Sequence, residues 1–242
     1  MKCISKIIIL FALFLLLIPS ALATDYTAWG YQTEVNVSGT TRPYQLSLNV
    51  SNATGTNNAT WVFCNGHCNA GFTDIQFSYS DNTNASFWIE NATGINSTTA
   101  RVWVNLTTTN PYQMNYGYAA HTTSMSNGSA TFPIFDHFDN GTTLNTTIWN
   151  EGGAGAATVA NSNLTLTDVD YVYSKSMYSS NQFMRTRARF GADTDDHFLV
   201  GFIGYIPSGS SLDYTKMNVP LKSDTPDGSY QCIGGKSGSG YH

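Results

Sequence analysis

From Trp29 onward, apolar and polar residues alternate in short runs instead of recurring at helical spacing. The runs are "WGYQTEVNV" (Trp29 to Val37), "YQLSLNV" (Tyr44 to Val50), "FTDIQFSY" (Phe72 to Tyr79), "ASFWIE" (Ala85 to Glu90), "ARVWVNL" (Ala100 to Leu106) and "YQMNYGY" (Tyr112 to Tyr118). Most are bounded by Asn, Gly, Ser or Thr clusters such as "SNATGTNNAT". Alternation with period two between turn-forming clusters predicts half-buried strands. Short strands at this spacing predict an all-β fold, an antiparallel β-sandwich. In "ARVWVNL", the alternation sends Val102, Val104 and Leu106 to one face and Arg101, Trp103 and Asn105 to the other.

Around "HTTSMSNGSATFPIFDHFDNGTTLNTTIWN" the texture changes. Gly, Ser, Asn and Thr supply a linker from about His121 to Thr131, and a second strand-rich series follows. It includes "ATVANSNLTLT" (Ala157 to Thr167), "YVYSKSM" (Tyr171 to Met177), "FMRTRARFG" (Phe183 to Gly191) and "HFLVGFIGYI" (His197 to Ile206). The expected organisation is two β-domains, 24–131 and 132–242.

Ahead of the strands, Lys2 and Lys6 precede an apolar core from Ile7 to about Pro19, and Ala21-Leu22-Ala23 follows. This is the pattern of a secretory signal peptide, residues 1–23, cleaved after Ala23. A transmembrane helix needs about 20 apolar residues, more than this core supplies; an uncleaved anchor is the alternative. Cys3 lies ahead of the apolar core, so a lipoprotein anchor at the cleavage point is not indicated. The net charge is −5, and more negative once Lys2 and Lys6 leave. That balance gives nucleic acid or an anionic membrane surface nothing to hold, so contact with a membrane is expected only through an anchor outside this chain.

Charged residues make up 11% of the chain, hydrophobic residues 41% and aromatic residues 13%. The first is far below the roughly 25% usual for globular proteins, and the other two supply a core that a disordered chain lacks. Asn, Ser and Thr replace the charges, and many fall in Asn-x-Ser/Thr triplets. These begin at Asn36, Asn49, Asn52, Asn58, Asn84, Asn91, Asn96, Asn105, Asn127, Asn140, Asn145 and Asn163. Chance predicts on the order of five such triplets. The excess points to an N-glycosylated extracellular or cell-surface protein in which sugars do the solubilising that charges usually do. Thr-rich strands and Asn-rich turns generating sequons unaided is the alternative.

Cys64, His67 and Cys68 fall within five residues, "CNGHC". Zinc sites of the finger kind pair such a cluster with a second ligand pair. Here His121, His137, His197 and His242 are isolated in sequence and no second cysteine pair follows. In an oxidising exterior, a local Cys64–Cys68 disulfide closing a turn is the preferred reading, with metal binding, free thiols or pairing with Cys232 as alternatives. Cys232 is then odd in the mature chain. Retaining glycosidases need two carboxyls about 5 Å apart, and the glutamates are Glu34, Glu90 and Glu151 only. Asp193, Asp195 and Asp196 in "GADTDDH" read first as a turn and second as weak calcium ligands; no other metal or cofactor is expected. No Gly-x-Ser-x-Gly, phosphate loop or dinucleotide fingerprint appears. Exposed aromatics that stack on sugars are the remaining candidate chemistry. Trp103, which shares its inferred face with the Asn105 sequon, and Tyr116 are the carbohydrate-binding candidates.

Five landmarks occur in order between about Asp25 and Phe132: Trp29-x-Tyr31, "CNGHCNAGFTDIQF", "FWIE", "ARVWVNL" and "YQMNYGYAAHTTSMSNGSATF". Together they resemble a family catalogued as domain of unknown function 2341, a β-sandwich module of archaeal and bacterial secreted proteins. Gln32 and Gln76 sit where that family usually has a basic residue. "FDHFDNGTTLNTTIW", "ATVANSNLTLT" and "YVYSKSM" resemble the opening of a concanavalin A-like jelly roll of the lectin and glucanase kind. Such a domain usually needs about 150–200 residues, so the second one is expected to be incomplete and the sequence to be a fragment. The resemblances imply a secreted archaeal-type surface protein that contacts glycans or other envelope proteins. It would serve adhesion, envelope structure or glycan recognition, with no catalysis in the part seen. A polysaccharide hydrolase with catalytic residues past His242 is the alternative.

Overall fold

The structure is a computed structural model that describes residues 26–35, 37, 43–90, 98–108, 112–139, 141–153, 157–167, 171–176, 186, 221–222 and 231–232. The signal segment lies outside the described residues, as do Asn36, Asn91, Asn96, Asn140, the Asp193, Asp195 and Asp196 cluster, and the expected strands at 183–191 and 197–206. The chain divides into two compact units, Met1–Asp136 and His137–His242. The described fold is all-β apart from short helical turns.

In the first unit the strands are β1 (Tyr31–Val35), β2 (Tyr44–Ser51), β3 (Trp61–Phe63), β4 (Gln76–Tyr79), β5 (Asn84–Ala85), β6 (Phe87–Glu90), β7 (Thr99–Leu106) and β8 (Tyr112–Tyr116). They form two four-stranded sheets, in the orders β1-β8-β4-β5 and β3-β2-β7-β6. The chain changes sheet between β5 and β6, within the single run expected over Ala85 to Glu90. Every pair is antiparallel except β2 with β3, where Asn49 to Ser51 lie beside Trp61 to Phe63 in parallel. The connection between those two strands is shaped by side-chain amides. Asn57 Oδ1 accepts from Phe63 N at 2.7 Å, and Asn58 Oδ1 accepts from Trp61 N at 3.0 Å.

Alternation sets the faces as the sequence predicts. Val102, Val104 and Leu106 on β7 are fully buried, in one core with Leu48, Val50, Phe77, Phe87 and Met114. Phe77 and Phe87, one from each sheet, approach to 5.3 Å between ring centroids. Burying side chains of this size contributes about 1.5–3 kcal/mol each.

The segment expected as a linker is part of the first unit. A short helix, α1 (Gly128–Thr131), is capped by Asn127, whose Oδ1 accepts from Ala130 N. Its carbonyls are met by the sheet beneath it: Asn105 Nδ2 donates to Ala130 O and Gln45 Nε2 to Thr131 O, both at 3.3 Å. These bonds satisfy backbone groups that a helix end leaves open. At the edge of β6, Asn127 N donates to Phe87 O and Ile89 N to Ser126 Oγ. A bare sheet edge is a template for aggregation, and the segment 126–135, a strap over the sheet, covers this one. Phe132 and Phe135, beyond α1, pack on Trp88 and Trp103.

In the second unit, β9 (Trp149–Gly152) pairs with β12 (Tyr171–Ser174), and β10 (Thr158–Ala160) with β11 (Asn163–Thr165). The second hairpin turns through Asn161 and Ser162, both at positive φ (50° and 58°). Two such residues suit the right-handed twist of a hairpin. β13 (Leu221–Lys222) pairs with β14 (Gln231–Cys232), placing the Cys232 backbone opposite Leu221. Among the described residues no helix is long and apolar enough to cross a membrane.

Candidate functional site

One end of the sandwich gathers the residues of most chemical interest. Cys64 and Cys68 form a disulfide with their Cα atoms 5.5 Å apart. Both are buried, while His67 between them is exposed. The loop is docked from two sides: Cys64 N donates to Ser51 O at 2.7 Å and Cys68 N to Asn52 Oδ1 at 3.2 Å. With both sulfurs in the disulfide, His67 has no thiolate beside it for a metal. Among the described residues no group of three or more His, Cys, Asp or Glu converges.

Asp74, fully buried, ties this loop to the end of β8. Its Oδ1 accepts from Asn69 N at 2.7 Å and its Oδ2 from Gly117 N at 3.0 Å. Gly117 has φ +82°, and a Cβ there would lie 2.6 Å from the Tyr31 ring. Only glycine adopts that backbone freely and leaves room for the ring. Tyr31 and His67 consequently stack at 3.9 Å between centroids, 20° from parallel, and Tyr31 also stacks with Tyr116 at 5.5 Å. Tyr31 is 42% exposed. Burial, then the neighbouring Tyr31, raises the Tyr116 phenol above its ordinary value, so it is neutral at pH 7. A second ring cluster lies in the segments that follow on: Trp29 approaches Tyr118 at 5.8 Å and His121 at 5.5 Å. Asn69 and Thr73 side chains both donate to His121 O. The arrangement is two sets of packed rings, Tyr31 with His67 and Tyr116, and Trp29 with Tyr118 and His121.

Of the two expected carbohydrate-binding rings, Tyr116 belongs to this cluster, stacked with Tyr31, and Trp103 lies elsewhere. Trp103 lies on the outer face of β7 as alternation requires, but Phe132 covers it, its exposure is 9%, and its Nε1 donates to Glu90 Oε2. Tyr116 is 7% exposed and belongs to the core. Phe132 lies against the first, and the second sits on the inward face of β8. Among the described residues, Tyr31 is an exposed aromatic ring. The sequence holds one signal for it, Trp29-x-Tyr31, but its partners come through the register of Tyr31 with Tyr116, which the sequence does not display.

Gln32 and Gln76 flank Asn115 on neighbouring strands. Gln32 Nε2 donates to Asn115 Oδ1, and Asn115 Nδ2 to Ser78 Oγ, each at 2.9 Å. Gln76 Nε2 donates to Phe77 O. Neutral amides thus satisfy the positions where a basic residue would need a partner acid.

The sequon asparagines at positions 49, 52, 58, 84, 105, 127, 145 and 163 lie among the described residues, and none is buried. The Cys232 side chain falls outside them. Comparison with known proteins found no match among curated proteins and none among solved structures. A family model does match, over residues 71–152, from the turn before β4 through β9. The chain thus carries, over that stretch, a match to the family described as Domain of unknown function (DUF2341).

Proposed function

We propose that this chain is a secreted, N-glycosylated, archaeal-type cell-surface protein that recognises glycans and performs no catalysis in the part described. Adhesion and envelope structure are the neighbouring roles. The observation that carries glycan recognition over them is the Tyr31–His67 stack, held toward solvent by a disulfide and by Gly117. Sugar rings present C–H faces that pack on aromatic planes, and rigid rings bind with little ordering cost. The sequons on non-buried positions and the disulfide fit an oxidising exterior. The second unit is read as the start of a concanavalin A-like jelly roll, with glycans or envelope proteins as partners.

A glycan array probed with the full secreted chain and with Tyr31→Ala tests this reading. Binding to a defined sugar class that falls at least about tenfold in Tyr31→Ala, the loss of roughly one ring contact, supports it. An array with no ligand for the wild type refutes it and leaves the envelope-structure role.

A further inference from the structure

The sequon asparagines differ in what their side-chain amides do. Asn58 Oδ1 accepts from Thr60 N at 2.9 Å, Thr60 Oγ1 at 3.1 Å and Trp61 N at 3.0 Å. Asn145, in the second unit, repeats the pattern: its Oδ1 accepts from Thr147 N at 3.1 Å and Thr147 Oγ1 at 2.7 Å. In both, the hydroxyl two residues on fixes the carbonyl side of the amide, and Nδ2 donates no hydrogen bond to the described residues. Asn58, Ala59 and Thr60 are all exposed, as are Thr146 and Thr147.

Among the described residues, the other sequons are bonded to neighbouring segments or lie beside buried residues. Asn49 lies within β2 next to Val50 and Ser51, which are 0% and 2% exposed, and the Ser51 hydroxyl donates to Thr98 O. Asn105 spends Nδ2 on Ala130 O, and its neighbour Leu106 is fully buried. Asn52 and Asn84 hold Cys68 N and the Tyr26 hydroxyl through Oδ1. Asn127 caps α1 over the buried Gly128, and Asn163 spends Nδ2 on Asn161 O.

We infer that, among the described sequons, Asn58 and Asn145 accept glycan on the folded protein, and Asn49 and Asn105 refuse it. This rests on the reading of the chain as a secreted glycoprotein. The transfer forms a bond from Nδ2 to the anomeric carbon of a lipid-pyrophosphate-linked oligosaccharide. The bond from that carbon to the phosphate oxygen breaks, the lipid pyrophosphate leaves with the electron pair, and the amide proton passes to a base of the transferase. Oδ1 stays an acceptor in the product, so the turns at Asn58 and Asn145 survive the modification. A transferase must seat Nδ2 and the hydroxyl of the sequon together, which requires lifting the segment from the surface. An exposed turn lifts readily; a central strand lifts only when the sandwich opens.

The test incubates the folded full chain, disulfide intact, with a single-subunit oligosaccharyltransferase and its lipid-linked donor, and repeats it after reduction and denaturation. Glycopeptide mass spectrometry reads each site. Asn58 and Asn145 should be modified at least about a hundredfold faster than Asn49 and Asn105 in the folded chain, because local openings span from nearly free to global unfolding. Denaturation should bring the four rates together. Asn49 or Asn105 reacting as fast as Asn58 in the folded chain overturns the inference. Chain recovered from the cells that make it, bearing sugar equally at all four sites, overturns it as the route used there while leaving the glycoprotein reading intact. Recovered chain bearing no sugar at any sequon overturns that reading itself.

Discussion

Replacing Phe132 by alanine removes the ring that joins the strap to the outer face of the β3-β2-β7-β6 sheet. Phe132 meets Trp88 at 5.6 Å, Trp103 at 5.8 Å and Phe135 at 5.8 Å between centroids. The ring is half-buried, so its transfer contribution is about half of the roughly 1.5–3 kcal/mol of a fully buried one. Three ring contacts at the low end of their range add about 0.5 kcal/mol each. The expected loss is about 2–3 kcal/mol, which in a unit of this size lowers Tm by roughly 10 °C or more. Urea unfolding of the full chain, followed by tryptophan emission, measures both the loss and its cause. Uncovering Trp88 and Trp103 shifts the native emission to the red before any unfolding. A change below about 0.5 kcal/mol with unshifted emission would refute the assignment of the strap to the first unit.

Three further outcomes follow from the sandwich end and its turns. Replacing Cys64 and Cys68 together by serine opens a five-residue loop, for which chain entropy gives about 2 kcal/mol; equilibrium denaturation of the two forms checks it, and the stack of His67 on Tyr31 should loosen as well. Gly117→Ala places a methyl against the Tyr31 ring at positive φ and costs about 1–2 kcal/mol, with loss of any glycan affinity; unchanged affinity would separate Tyr31 from the binding site. The Thr83 hydroxyl and amide bonds hold the Asp81 carboxyl below its ordinary value. Its folded value is depressed, so the Asp81–Thr83 turn has its full support above the unfolded carboxylate value and loses it as pH falls through the lowered one. The Thr83 amide shift in an NMR titration should follow that lowered midpoint and become pH-independent in Asp81→Asn.

Strands and faces were legible because period-two alternation is local. The inward set of β7, Val102, Val104 and Leu106, reads directly from "ARVWVNL" and is buried as read. The Cys64–Cys68 disulfide was legible because the two residues are near in sequence and the compartment expected from the N-terminal pattern favours oxidation. Trp103 shows where alternation stops: it gives the face of a sheet, not whether another segment lies over that face. The strap that buries Trp103 is written in Gly, Ser, Asn and Thr, which read as a linker. Its anchoring rings, Phe132 and Phe135, fell on the far side of the boundary expected near Thr131. The parallel β2–β3 pair and the Tyr31–His67 contact depend on register between distant segments, and no single run of residues encodes either. Gly117 carries a legible hint, a glycine inside an aromatic run, but its meaning needs the Tyr31 ring beside it.

The most direct measurement is saturation-transfer NMR on the full chain with gluco-, galacto- and N-acetylglucosamine oligosaccharides, irradiating the protein's aromatic protons. The proposed function predicts transfer to ring C–H protons of one sugar class, abolished in Tyr31→Ala and retained in a variant of the covered face such as Phe132→Ala. No transfer to any of these sugars, or transfer that Tyr31→Ala leaves unchanged, would contradict it.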